Sequence, residues 1–512
     1  MLQRSFVRGL VAAGLSLAFG ATSLTASEGI ATQSSPDALA LLNRITWGAS
    51  ATRAATLRAL GTERWLQRQL YPTSEDQLPR EAAAQVDALA VARKPLIEVV
   101  NELDAQNKTA NQIADPEQKK LAQQAYQRAL TDLARQAATR AILRALYSPA
   151  QLRERMVWFW YNHFNVHQHK ANVRAMVGDY EERAIRPHAL GRFRDLLGAT
   201  LRHPAMLRYL DNAENAAGRV NENYAREIME LHTMGVGSGY TQKDVEELAR
   251  ILTGIGIDPR PENPKLKPEL QHQLVRDGLF EFNPNRHDYG DKAFLGRPVA
   301  GRGLAEVEQV LDVLCRHPAT ARRIALKLAT YFVEDGPSET LVQRMAEAFQ
   351  KTDGDIPSVL AIMFQSPQFA ASLGQKMKDP LEYVLSAVRL AYDDKIILNT
   401  APIQGWLNRL AEGLYNHPTP DGYSLSASAW NGPGQMALRF EIARQIGSGS
   451  ARLFKPEPGA ADRPVFPLLQ NALYFDGLRK SLSPSTLAAL DQAISPQDWN
   501  TLFLASPEFM HH

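Results

Sequence analysis

One cysteine, Cys315, stands in a chain of 512 residues, so no disulfide can form within it. The fold must hold through its core alone. A lone cysteine is expected to be a small buried apolar side chain, with a reactive thiol as the lesser reading. An excess of one charge is also missing. Lysine and arginine number 57 and the acids 55, for a net charge of +2. Without a polybasic run there is no bulk argument for nucleic acid, which asks for a clustered basic face. Beyond the first 27 residues no apolar run reaches the roughly 20 residues a membrane helix needs. A Cys-x-x-Cys-His sequence is lacking, which removes covalent haem attachment. Strand-like alternation is scarce, and no sustained repeat period appears.

What is present begins with an export signal. Arg4 and Arg8 make a positive start, Leu10 to Leu24 an apolar run, and Thr25, Ala26 and Ser27 a small-residue cleavage region. The run is short for a spanning helix, and no twin arginine precedes it. A periplasmic or secreted protein is therefore expected, with no integral membrane segment after signal cleavage. At 45% hydrophobic, the remaining chain can fill a large core.

Helix signals dominate, so the expected class is all-α: a large irregular helical body with long functional loops and few or no strands. The expected regions are a signal peptide (1–26), an N-terminal helical region (27–147) and a central motif-rich region with a long loop (148–303). A C-terminal helical region (304–452) and an extension with short helices (453–512) follow. Asp115-Pro116 and Ser148-Pro149 read as helix starts, the second opening a helix through about His167. Thr241 and Asp244 form a capping-box pattern, and Gly235 suits a C-terminal cap. Residues 255–303 are rich in Pro, Gly, Asn and Asp. They read as a long loop with a short hairpin near Phe280 and Phe282. Two short echoes, Arg202 to Ala205 with Arg316 to Ala319 and Gln365 to Phe369 with Ala505 to Phe509, read as repeated helix starts.

Four clusters could carry chemistry. In the aromatic segment Trp158 to His167, His163 and His167 lie four apart and would share a helix face. Such a pair can bind a metal, or one histidine can act as acid or base. Phe164 stands where a zinc-protease helix has glutamate, so that motif is absent, and an aromatic core helix explains the same residues. In Asn221 to His232, Arg226 pairs naturally with Glu230 and Glu222, while Asn223 and Glu227 share a face. Tyr224, Ile228 and Leu231 surround Glu227 with apolar material, which raises a carboxyl pKa and suits acid catalysis. His232 could join Glu227 as a ligand. The third cluster, Phe282 to Lys292, holds His287 and Asp288. The fourth holds Asp421, Tyr423 and Trp430. Its rings could stack on sugars or form a contact surface, and turn chemistry accounts for its Pro and Asp-Gly residues.

These motifs together resemble the exported bacterial family called domain of unknown function 1800, from about Leu41 to Arg444. The carriers are Trp158 to Phe164, Arg186-Pro187-His188, Gly191 to Leu197, His203 to Asn212, Asn221 to Gly235 and Gly239 to Gly254. His287 to Lys292, Lys327 to Phe332, Lys378-Asp379-Pro380 and Pro418 to Tyr423 complete the set. One departure is Ile255, where a tryptophan is expected. The resemblance implies an exported helical protein, often encoded beside an exported sulfatase-like partner, and implies no mechanism.

Two readings of function follow. The first is a periplasmic enzyme, a hydrolase or other acid–base or metal-assisted catalyst, acting on a carbohydrate or envelope polymer. There Glu227 would be the acid and Glu222 or Asp288 the base, at about 5 Å for retention or about 6.5–9.5 Å for inversion. His163 is a further acid–base candidate. Asn223, Arg226, Asp421, Tyr423 and Trp430 would bind substrate. A metal-assisted version would hold a divalent cation with His163, His167, Glu227, His232 and His287. The second reading is a non-catalytic helical scaffold or assembly partner of another exported protein. An enzyme requires His163, Glu227 and His287 to converge.

Overall fold

Polar caps and prolines set the helix starts, as the sequence predicts. In the computed structural model, which describes residues 38–72, 77–455 and 465–512, Asp115 accepts from the Gln118 N–H and Pro116 opens a helix running Pro116–Tyr147. Thr241 and Asp244 close a reciprocal capping box on Gln242–Ile251. The His-Pro echoes share one device. His203 and His317 each accept the N–H two residues on, at 3.1 and 3.2 Å, before a proline in the first turn. Ser366 and Ser506 likewise accept from the N–H groups of Phe369 and Phe509.

Helix makes up 62% of the described residues and strand 4%, so the fold is mostly helical. The departure from an all-helical body lies in the long loop. Strands β1 (Ile255–Ile257), β2 (Val275–Asp277) and β3 (Phe280–Phe282) form an antiparallel sheet in the order β1-β3-β2. Ala293–Phe294 pairs with Arg297–Pro298 in a second sheet. The hairpin expected near Phe280 and Phe282 is β2-β3. Ile255 is fully buried opposite Phe282, where the family resemblance expects tryptophan. Helices Ala51–Leu60, Thr62–Leu70, Ala401–Arg409 and Pro433–Gly447 add to those read from sequence.

The aromatic helix ends early. It runs Gln151–His163, and Phe164 leaves helical geometry at φ −105°, ψ 50°. Tertiary contacts account for the stop. Phe164 is buried against Trp160, Phe193 and His232, and Asn165 donates to the His417 and Thr419 carbonyls. His163 and His167 therefore do not share a helix face. Two segments widen into π-helical turns, Tyr180–Ile185 and Ile228–His232.

A buried charged knot underlies the C-terminal half. Arg155 pairs with Glu382 and lies over the rings of Trp47 and Tyr331, at 5.0 and 4.7 Å. His512 Nε2 sits 3.2 Å from the other Glu382 oxygen. Arg155 holds the Glu382 carboxyl well below its usual range, although burial opposes this. Arg44 donates to the Phe332 and Val333 carbonyls at 2.7 and 3.2 Å and to Ser372. It thus caps the helix Pro318–Phe332 from inside.

Cys315 is buried, and burial pushes its thiol up to about 12, as fits a structural side chain. No described helix is long and apolar enough to cross a membrane. The predicted signal peptide lies outside the described residues.

Candidate functional site

The site forms where three helices and one loop meet. The Gln151–His163 helix supplies His163 at its end, the Pro318–Phe332 helix supplies Lys327 and Arg323, and the segment from Asn223 to His232 supplies Glu227 and His232. The loop Pro418 to Tyr423 supplies Asp421. Four anchors hold that loop. Asn162 donates to the Tyr423 carbonyl at 2.9 Å, and its own side-chain oxygen accepts the Tyr423 N–H at 2.6 Å. Asn165 bonds the Thr419 carbonyl, and the Tyr209 hydroxyl donates to Pro418 at 2.8 Å. Gly422, at φ +76°, lies so close that an added Cβ would meet the Asn162 carbonyl at 2.1 Å.

His163 has a fixed tautomer. Its Nε2–H donates to the His232 carbonyl at 3.0 Å, which leaves the Nδ1 lone pair facing Lys327 Nζ, also at 3.0 Å. Arg323 donates to the Leu231 carbonyl, so the open carbonyls of the π turn are met from two sides. Burial, then Arg323, push the Lys327 ammonium down to about 7, against a smaller opposing pull from Asp421. Burial and the Lys327 charge push His163 well below its usual range. Burial, Lys327 and Arg323 bring His232 down to about 3. His232 is 1% exposed, and neither of its ring nitrogens has a hydrogen-bond partner.

Glu227 is half-buried and makes no ion pair or hydrogen bond among the described residues. Burial raises its carboxyl pKa, and the charges of Glu230 and Asp421 add to the rise. Tyr209 is raised by burial, then by Glu227 and Asp421. Lys327, Glu227 and Asp421 each keep part of their surface in solvent. The arrangement offers an amine near neutrality, a neutral imidazole lone pair and a carboxyl displaced toward its protonated form.

Several expected residues serve other ends. Arg226 pairs with Glu222 at 3.2 Å and Glu230 at 3.4 Å, as the spacing predicts. Glu222 also accepts from Gln242, so it braces neighbouring helices. Asn223 donates to the Leu210 carbonyl. Asp288 is held by Arg250 at 2.8 Å and lowered by it. His287 donates from Nδ1 to the Thr253 carbonyl, and its Nε2 lies 3.4 Å from Glu306, which Lys292 also pairs at 2.8 Å. The His287-Asp288 motif thus clamps the long loop onto helices Gln242–Ile251 and Leu304–Arg316.

His167 lies beyond the helix end, its ring beside His169. Among the described residues no three His, Cys, Asp or Glu side chains are grouped to hold a metal ion. The set His163, His167, Glu227, His232 and His287 is therefore not assembled, and His287, bonded to Thr253 and beside Glu306, does not converge with His163 and Glu227, so an enzyme reading has to rest on other residues. The aromatic pair also differs from a sugar platform. Trp430 is 7% exposed with its N–H on the Ser424 carbonyl, and the Tyr423 ring packs against Trp158 and His417.

Sequence reasoning missed Lys327, Arg323 and Tyr209 as site residues. The readable signal for Lys327 was its setting among Ile324, Ala325, Leu328, Ala329 and Tyr331, all buried. A lysine placed near a helix's apolar face is either snorkelling or held for its amine.

No curated protein and no solved structure matches the chain. One family model does, over residues 40–511, which is nearly all of the described fold. The chain belongs to the family described as Protein of unknown function (DUF1800).

Proposed function

We propose that this is an exported acid–base enzyme whose reacting centre is the Lys327–His163 pair, with Asp421 close enough to act on the lysine and Glu227 close enough to act on Asp421. The observation that carries this reading is Lys327 itself, a lysine hydrogen-bonded to a neutral histidine. A structural lysine normally gains from a carboxylate partner. Here burial and Arg323 oppose its charge, and the result is a group able to give or take a proton near pH 7. Glu227, raised by burial, is the complementary acid. The N-terminal layout supports export, and with it a substrate found outside the cytoplasm, a carbohydrate or other envelope polymer. The reaction class is hydrolysis or another proton transfer. The family resemblance makes a co-encoded exported sulfatase-like protein the proposed partner.

The test is a product screen of the mature protein against envelope glycans, alongside Lys327→Met and His163→Gln. Acid–base groups typically contribute about 10²–10⁴-fold, so each variant should lose at least about 100-fold of any activity found. Folded variants that turn over substrate like the parent protein would remove the pair from the chemistry.

A further inference from the structure

The atoms around Lys327 suit bond formation as well as proton exchange. His163 spends Nε2–H on the His232 carbonyl, so only Nδ1 can accept, and it faces the Lys327 amine at 3.0 Å. No carboxylate lies within ion-pair distance of Lys327 among the described residues. His232 stands beside the pair, its ring 6.1 Å from that of His163, with both nitrogens unpartnered though wholly buried. A buried, unpartnered polar ring beside a part-exposed lysine marks a place for a polar ligand atom. Reach separates Lys327 from Lys378, the other lysine pushed down to about 7. Lys378 is sealed in the charged knot, its ammonium 3.9 Å over the Phe509 ring, whereas Lys327 keeps contact with solvent.

We propose that Lys327 is a nucleophile that forms an imine with a carbonyl-bearing substrate, of the class of the open-chain aldehyde end of a sugar. This rests on the acid–base reading of the same site. The neutral amine's lone pair attacks the carbonyl carbon, a C–N bond forms, and the C=O π pair moves to oxygen. His163 Nδ1 takes the proton from nitrogen and returns it to that oxygen, leaving a neutral carbinolamine. The C–O bond then breaks as the departing hydroxyl takes a proton from solvent. The products are water and a protonated imine on Lys327, the added proton accounting for its positive charge. Atoms and charge balance, and no oxidant or reductant takes part.

The experiment treats the full mature chain with glyceraldehyde and sodium borohydride near neutral pH, followed by peptide mass spectrometry. The expected result is reductive labelling of Lys327 at least about ten-fold above any other lysine, with Lys378 unlabelled. His163→Gln should slow labelling by about ten-fold or more, and Lys327→Arg should abolish it. Label spread over exposed lysines, with Lys327 at or below their level, overturns the proposal. Parallel acetylation with acetic anhydride separates the two readings. Lys327 acetylated with a midpoint near pH 7 but never trapped overturns the imine alone. A midpoint near the ordinary lysine value overturns the acid–base reading with it.

Discussion

A lysine in the position of Lys327 works against the fold, and that cost is measurable. Its folded pKa of about 7 lies below the ordinary 10.5. Between those values the unfolded chain binds more protons than the folded one, so stability rises with pH across that window. Lys327→Met removes the buried ammonium at similar volume. The variant should be more stable than the parent below pH 7, by on the order of 1–4 kcal/mol, with the gap closing as the solution approaches about pH 10. Denaturant melts at several pH values check this. A variant less stable at every pH would make Lys327 a structural residue. Glu227 carries the opposite sign. Burial raises it, so its ionisation destabilises the fold as pH rises past its ordinary range.

At the scale of elements, the site depends on a loop pressed onto a helix end. The Gln151–His163 helix stops where Asn162 and Asn165 turn to hold the loop that carries Asp421. Gly422→Ala places a methyl where the Asn162 carbonyl already stands and asks an L residue to hold φ +76°. The loop should lift, and proteolytic cleavage within residues 417–430 should then accelerate. Unchanged proteolysis would mean that another anchor sets the loop. This dependence also explains what could be read from sequence. Caps such as Asp115, Thr241 and Ser366 act locally, so their helices were legible. The Arg226 pairs were legible for the same reason, being spaced by one turn. The end of the aromatic helix was not, because Asn165 finds its partners more than 250 residues away. Nor was the role of His287, whose neighbours Thr253 and Glu306 are brought by the long loop. Glu227 was recognised from apolar neighbours within its own helix. Lys327 needed His163, 164 positions earlier, to give it meaning.

Across the whole molecule, the buried knot ties distant parts of the chain behind the site. Arg44 joins the first described helix to the end of the Lys327 helix, and Arg155 joins the aromatic helix to Pro380–Tyr392 through Glu382. Without disulfides, such cross-links and the core fix the relative positions of the elements. Arg155→Met would leave Glu382 buried with His512 as its remaining close basic partner. Removing one member of a buried pair costs roughly 3–5 kcal/mol, which guanidinium unfolding would register. Glu382 is depressed in the folded state, so its contribution is complete above its ordinary value of 4.5 and fades as pH falls below it. The Arg155→Met deficit should therefore shrink in acid. A deficit unchanged with pH would place the cost in lost ring packing over Trp47 and Tyr331 instead.

The protonation of one amine, that of Lys327, decides what this site can do. The direct measurement is a pH titration of the purified protein with 13C-labelled lysine, following the Lys327 Cε resonance assigned by its loss in Lys327→Arg. A midpoint near 7 is the predicted result. A Lys327 resonance that titrates with the exposed lysines, near 10.5, would contradict the acid–base centre and the imine built on it.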